Sequence, residues 1–302
     1  MIKLKIMTVP YPLKPNILIC GMFDGVHLGH QKLLEHAVKL AKELDGISTM
    51  ITFENHPKTV LSPDTAPKLI QPISQKLHII KNMGIDQIHI IPFTDAFSKL
   101  TAAEFIQSQS LTHFILGYDT KIGSDKLSGA PLIELLNAQE IKATTIKPVM
   151  DGDTIISSRL IRELIQQGSL DKLHQYLGRP YSLYGPIIPG QSIGRTLGVP
   201  TLNLSLKNLT TLPFGVYATI VKSKNEIIPA VVNLGIAPTL KKEKIPQLEV
   251  HLLKTLSPFP DRIEISFLKF FRKEILFDSK DALVKQIQID IKKANQFLKN
   301  YL

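Results

Sequence analysis

One cysteine, no tryptophan and few aromatic residues distinguish this 302-residue chain more than anything it holds in abundance. Cys20 by itself permits no intrachain disulfide and cannot build a cysteine-rich zinc module, which suits a reducing compartment such as the cytoplasm. No run approaches the roughly 18 consecutive apolar residues of a membrane-spanning helix, so no membrane partner is expected. The start, Met1 to Pro10, is too short and too interrupted to read as a signal peptide. Aromatic residues make up 7 % of the chain, sparse for a surface that stacks nucleic-acid bases, and the lysines are scattered rather than blocked. No nucleic-acid partner is therefore expected, despite a formal net charge of +10. Arginine is scarce too: all six lie at Arg159 or later.

What is present is enough apolar material for folded cores, with 44 % hydrophobic against 21 % charged residues, and enough length for two domains. The charge is uneven, +2 over residues 1–180 and +8 over residues 181–302. Short apolar runs alternate with helix-like stretches in the first half. Asn16–Cys20, Ile47–Phe53, Gln87–Ile91, His113–Gly117 and Thr144–Val149 read as strands. Between them Gln31–Leu44, Ser74–Met83, Ala102–Ser108 and Pro131–Gln139 read as helices, the first with Leu33, Ala37, Leu40 and Leu44 on one stripe. Strand and helix taking turns implies a parallel sheet with helices on both faces. Helices near Ser158–Gln167 and Leu170–Leu177 close this half.

Beyond Gly178–Pro180, glycine and proline crowd the chain, and runs of period two follow at Gly215–Lys222, Gln247–Leu253 and Arg262–Leu268. Short strands between Gly/Pro turns point to an antiparallel barrel. Leu283, Ile287, Ile291, Ala294 and Leu298 then mark a C-terminal helix. The expected fold class is thus α/β plus β: a parallel-sheet domain over residues 1–180 and a small antiparallel β-barrel with a C-terminal helix over residues 181–302.

The first strand runs directly into Gly21-Met-Phe-Asp-Gly-Val-His-Leu-Gly-His30, with a helix following. Open α/β sheets bind ligands at the carboxyl ends of strands, where helix N-termini favour anions. Gly21, Gly25 and Gly29 remove side chains where a phosphate chain would approach the backbone, and His27 and His30 can each offer an N–H to phosphate oxygens. Surface histidines at a helix entrance, or half of a metal site, would also account for the pair. Further on, Ile156-Ser-Ser-Arg-Leu-Ile-Arg162 sets hydroxyls at Ser157 and Ser158 beside a helix start, with Arg162 one turn beyond Ser158. In the second half Thr201 and Asn203 share a face of an extended segment and carry the hard oxygen donors that Mg²⁺ accepts beside nucleotide phosphates. A turn ending at Thr201 and Asn203, with Glu249 merely facing solvent, is the simpler reading of those residues by themselves.

The string Gly21–His30 with Ile156–Arg162 resembles the paired signature of nucleotidyltransferases with a Rossmann-like sheet. Leu177-Gly-Arg-Pro-Tyr181, Gly194-Arg-Thr-Leu-Gly-Val-Pro-Thr-Leu-Asn203, Phe214-Gly-Val-Tyr217, Asn233-Leu-Gly-Ile-Ala-Pro-Thr239 and Glu249-Val-His-Leu-Leu253 follow in the order seen in riboflavin kinases. Together they resemble the bacterial bifunctional riboflavin kinase/FAD synthetase family over nearly the whole chain. That resemblance implies two reactions. The C-terminal domain would phosphorylate riboflavin with MgATP to FMN, and the N-terminal domain would adenylylate FMN with ATP to FAD, releasing pyrophosphate. It implies His27, His30, Ser157, Ser158, Arg162 and Glu249 as catalytic residues, with Mg²⁺ held at Thr201 and Asn203. The nucleotide would lie against Gly21, Phe23, Asp24, Gly25, Gly29, Gly117 and Asp119 in one site. In the other it would lie against Gly190, Gly194, Arg195, Gly198, Pro200, Thr201 and Asn203, with Arg272 near the flavin.

The chain departs from the family pattern at Thr120 and Ile122, where aromatic residues are usual, at Lys126, where an arginine is usual, and at Arg159, where threonine is common. A lysine replaces a planar fork with a point charge. Two other classes of function follow from particular features: a flavin kinase whose first half is weakened, from those departures, and a basic RNA-binding protein, from the +8 half.

Overall fold

In the computed structural model, residues 14–188, 201–223, 226–236, 246–254, 261–299 and 301 are described. The chain packs as two units, Met1–Pro67 with Lys76–Ser157, and Lys68–Gln75 with Ser158–Leu302.

The first unit is built on β1 (Asn16–Cys20), α1 (Leu28–Glu43), β2 (Ile47–Phe53), α2 (Lys58–Leu61), a 3-10 turn (Pro63–Thr65), α3 (Ile73–Asn82), β3 (Gln87–Ile91), α4 (Asp95–Ser98), α5 (Ala102–Gln107), β4 (His113–Gly117), α6 (Gly129–Asn137) and β5 (Lys142–Ile146), followed by a hairpin of β6 (Met150–Asp151) and β7 (Thr154–Ile155). The five strands β1–β5 pair in parallel in the order β3-β2-β1-β4-β5. Alternate residues of β1 go to opposite faces, as a pleated strand demands. Ile17 and Ile19 join Leu34, Ala37, Ala41, Met50 and Ile80 in one core, whereas Leu18 joins Ile51, Phe105, Phe114, Leu132 and Leu136 in the other. Each such fully buried side chain is worth about 1.5–3 kcal/mol relative to exposure, so both faces of the sheet are held independently.

Two expectations shift. Helix α1 buries Leu34, Ala37 and Ala41, with Leu33 and Leu40 only partly covered and Leu44 exposed just past the helix end. Its contact line follows the sheet and not the most apolar stripe. The last parallel strand starts at Lys142, two residues before the apolar run, because Lys142–Ile146 pairs residue for residue with His113–Gly117.

The second unit contains α7 (Ser158–Gln167), α8 (Leu170–Leu177), β8 (Ser182–Pro186), β9 (Thr201–Ser205), β10 (Gly215–Ser223), β11 (Glu226–Ile236), β12 (Pro246–Leu252), β13 (Arg262–Arg272) and α9 (Lys280–Leu298). The six strands pair antiparallel in the order β8-β13-β10-β11-β12-β9. An antiparallel bridge from Ile188 to Asn203 links the ends of that order, so the sheet nearly closes into a barrel. The inward face carries Tyr217, Thr219, Phe267, Ile265, Val232, Leu248 and Val250, all buried. Tyr217 meets Phe267 edge to face at 5.4 Å.

Outside the barrel, α9 lays Ala294 and Leu298 over Val216, Ala218, Val231 and Leu268. At its start the Ser279 side chain accepts the Ala282 N–H. The Leu177–Tyr181 motif proves to be a helix stop. Gly178 ends α8 with φ +66, a left-handed cap that glycine adopts without penalty, and Arg179 turns back to donate to the Leu177 carbonyl at 2.9 Å.

Candidate active sites

In the first unit β1 is the strand where the sheet order reverses: the chain moves outward to β2 and β3, then crosses to β4 and β5. The loops after β1 and β4 therefore leave neighbouring strand ends at a topological switch point, the usual ligand crevice of such sheets. Gly21–His27 forms the first of these loops; Gly117 ends β4 and Asp119 lies in the second loop.

The loop after β1 is tightly wound. Phe23, Gly25 and Val26 all have positive φ, at +49°, +82° and +41°. For Val26, β-branched and fully buried, this is a costly conformation. His27 occupies the N-cap of α1, so the first-turn N–H groups of Leu28, Gly29 and His30 precede the first helical bond, from Gln31 N–H to the His27 carbonyl. His27 and His30 stack with ring centroids 3.7 Å apart and planes 24° apart, and Phe23 packs against His30 at 5.0 Å. A Cβ on Gly29 would stand 3.1 Å from the His27 ring and 3.4 Å from the Ile156 carbonyl. Glycine there lets the Ile156-Ser157 strand end approach the histidine turn, so the start of the second motif lies beside the first. Asp24 is buried in the same loop.

Ser158 and Arg162 belong to the second unit, on α7. There the Arg162 Nε donates to the Lys68 carbonyl at 2.8 Å, and Arg159 forms an exposed pair with Glu163. Two of the departures from the family pattern, Thr120 and Ile122, have local structural roles. The Thr120 hydroxyl accepts the Gly117 N–H at 2.8 Å, closing the end of β4, and Ile122 is buried in the α5–α6 core and pairs with Leu127.

In the second unit three polar residues form one row across three strands. Asn203 of β9 stands directly opposite Glu249 of β12, which stands directly opposite Asn233 of β11. Directly opposed residues of antiparallel strands share a face, and here it is the outer one, since the intervening Leu202, Leu204, Leu248 and Val250 point into the barrel and are buried. One register step along, His251 lies opposite Thr201. Asn203 is 3 % exposed, and its carbonyl accepts the Ile188 N–H at the barrel seam. Burial pushes the Glu249 carboxyl above its ordinary value, and the negative charge of Glu274 pushes it the same way. The Glu274 carboxylate fills the space that a Cβ on Gly235 would take. Burial also holds His251 below the ordinary histidine value, favouring the neutral ring.

Arg272 ends β13 with its guanidinium turned to α9. Nε and Nη2 reach the buried Asp290 carboxylate at 3.0 and 2.6 Å, and Nη1 donates to the Lys273 carbonyl. Gly190, Gly194, Arg195, Gly198 and Pro200 lie outside the described residues, as does the side chain of Thr201. Nothing in the sequence singles out the pairing of Asn233 and Glu274 with Glu249. Asn233 stood in a recognised motif, but its place opposite Glu249 depends on strand register, which residue type does not encode.

Comparison with known proteins follows the two units. The FAD synthetase family model matches residues 11–160 and the riboflavin kinase family model residues 177–298. A bifunctional riboflavin kinase/FMN adenylyltransferase of Buchnera aphidicola subsp. Schizaphis graminum is 36 % identical over 90 % of this chain and 90 % of its own length. Its counterpart in Bacillus subtilis (strain 168) is 32 % identical over 94 % of this chain and 93 % of its own. A crystal structure described as a macrolide-efflux protein from Streptococcus pneumoniae superposes with a TM-score of 0.81 at 27 % identity, covering 94 % of this chain and 95 % of that one. Among the described residues, no helix is long and apolar enough to cross a membrane.

Proposed function

The chain belongs to the bifunctional riboflavin kinase/FMN adenylyltransferase family, and from that premise we propose how its own residues carry the two reactions. It phosphorylates riboflavin to FMN and adenylylates FMN to FAD. We assign adenylylation to residues 1–180 and phosphorylation to residues 181–302. The two matched spans support this division, although α7 and α8 pack with the second unit.

In phosphorylation the ribityl 5′-hydroxyl oxygen attacks the γ-phosphorus of ATP, the β–γ bridging bond breaks, and ADP departs. Glu249 takes the hydroxyl proton. The Asn203–Glu249–Asn233 row is the observation that carries this reading: one carboxylate with raised proton affinity, set between two amides on a single face. A carboxylate made more basic by burial and a like charge is the better general base. Asn203, with its buried amide, and Thr201 would hold a magnesium ion, since oxygen donors of this kind suit a hard cation. Bound there, the ion would neutralise phosphate charge. Arg272 lies at the flavin side of this site, with its fork oriented by Asp290.

In adenylylation a phosphate oxygen of FMN attacks the α-phosphorus of a second ATP, and the α–β bridging bond breaks to release pyrophosphate. FMN already carries its charge, so the chemistry asks for alignment and charge stabilisation and no strong base. The glycine-bearing loop Gly21–Gly25, with Phe23 and Asp24, and the first turn of α1 receive the phosphates, while His27 and His30 donate to them. Gly117 and Asp119, leaving the adjacent strand end, take the nucleoside side. Ser157, Ser158 and Arg162 stabilise the charge that gathers on the α-phosphate and the departing pyrophosphate. We place the enzyme in the cytoplasm, in keeping with its single thiol.

The test is chromatographic: riboflavin, ATP and Mg²⁺ with the purified chain give FMN first and FAD second. Accumulation of FMN with no FAD overturns the assignment of the first unit.

A further inference from the structure

Lys76 on α3 is 3 % exposed, an unusual place for an ammonium group. Its three protons are matched by three acceptors of the first unit: the Met22 carbonyl at 2.9 Å, the Thr52 hydroxyl at 2.9 Å and the Phe53 carbonyl at 3.2 Å. The Thr52 hydroxyl in turn donates to the same Met22 carbonyl at 3.2 Å. With every donor engaged, Lys76 has none left for a substrate phosphate. What it grips is the loop after β1.

That loop does not hold its shape by its own backbone preferences. Positive φ at Phe23 and at the buried, β-branched Val26 persists only where surrounding contacts over-determine the backbone. Lys76 and Thr52 fix the Met22 end, and the Gln31 side chain fixes the other by donating to the Val26 carbonyl at 2.8 Å. The burial of Lys76 opposes its charge, lowering the ammonium to about 8, and the charge of Asp24 in the same loop acts in the opposite sense. A buried cation is costly unless fully hydrogen-bonded. A leucine or methionine would pack here at less cost if filling space were the only need.

We propose that Lys76 is a positioning residue for adenylylation, holding the strained turn at residues 22–26 in the shape that receives the triphosphate of ATP. The inference rests on the reading that this loop is the ATP site of the first reaction. It makes the loop's geometry a property of α3 and β2 as much as of its own glycines.

The experiment measures FAD formation from supplied FMN as a function of ATP in Lys76→Met, which keeps the aliphatic stem and removes the charge and the donors. Loss of the ammonium that holds the Met22 end of the loop predicts a KM for ATP raised about tenfold or more, the equivalent of about 1.4 kcal/mol. The KM for FMN stays within about twofold, and FMN formation by the same preparation continues. A residue needed only for folding would lower the active fraction and leave KM untouched, so an unchanged KM for ATP overturns the proposal whatever happens to kcat. Should Lys76→Met fail to fold, Thr52→Val removes only the hydroxyl between Lys76 and Met22. Its KM for ATP then rises about fivefold, the equivalent of one hydrogen bond of about 1 kcal/mol, and an unchanged value is again fatal. The His27→Ala/His30→Ala variant separates the two readings. If it loses FAD formation while Lys76→Met keeps the parent KM, the loop is the site and Lys76 does not shape it; if it keeps FAD formation, both readings fall.

Discussion

Replacing Glu249 by glutamine tests the kinase geometry at a single atom. Glutamine keeps the length and shape of the side chain, so the cross-strand row with Asn203 and Asn233 stays filled while the proton acceptor disappears. General-base assistance is worth about 10²–10⁴ in rate, or about 2.7–5.5 kcal/mol of barrier, and kcat for FMN formation should fall by a factor in that range. The same structure predicts the opposite sign for stability. Burial and the nearby Glu274 charge raise the folded-state affinity of Glu249 for a proton above its unfolded value. The folded protein therefore gains stability as pH falls through that range and loses it as the carboxylate ionises. At pH 7 the charged side chain is a burden on the fold, and Glu249→Gln removes it, so Tm should stay level or rise. For the same reason the parent's FMN formation should decline on acidification at a pH above that of an ordinary carboxylate, and this acid limb should vanish in the variant. The assay is a pH series of FMN formation alongside thermal unfolding at pH 7, with FAD formation from supplied FMN as the internal control. Activity within about threefold of the parent, or a Tm that falls together with activity, would refute the base assignment.

The paired variant His27→Ala/His30→Ala should abolish FAD formation and leave riboflavin phosphorylation intact; equal loss of both reactions would argue against two separable sites. Arg272→Ala strands the buried Asp290 carboxylate without its fork, a loss of about 3–5 kcal/mol measurable by urea unfolding, whereas a change under about 1 kcal/mol would show the pair to be incidental. Arg272→Lys should recover only part of that stability, because an ammonium cannot make the parallel contacts of a guanidinium. Chelation with EDTA should stop FMN formation and added Mg²⁺ should restore it, with persistent turnover in chelator counting against an ion at Thr201 and Asn203.

The alternation of strands and helices in the first half was legible in the sequence because its strands are short runs bounded by polar or glycine-bearing turns, the three central ones apolar and buried on both faces. Asn16–Cys20, Ile47–Phe53, Gln87–Ile91 and His113–Gly117 are found where periodicity sets them. The order of the strands was not legible, and it is what makes the loop at Gly21–His27 a crevice. The histidines could be picked out by their glycine-rich setting, but their stacking at 3.7 Å is visible only in the folded turn that opens α1. Lys76 gave no local signal, since its three acceptors come from residues 23–54 positions away in sequence.

Residue chemistry and spacing alone marked a parallel sheet with a glycine-rich histidine loop after its first strand and an antiparallel barrel behind it, because apolar period and turn residues are local properties; Thr201, Asn203 and Glu249 stood out only through the family resemblance. Tertiary pairing decided the rest. Antiparallel register put Asn203, Glu249 and Asn233, from three separate strands, on one face, and the packing around them raised the proton affinity of the carboxylate. Register, desolvation and the field of a neighbouring charge arise only when distant segments meet, and no stretch of the sequence holds them by itself.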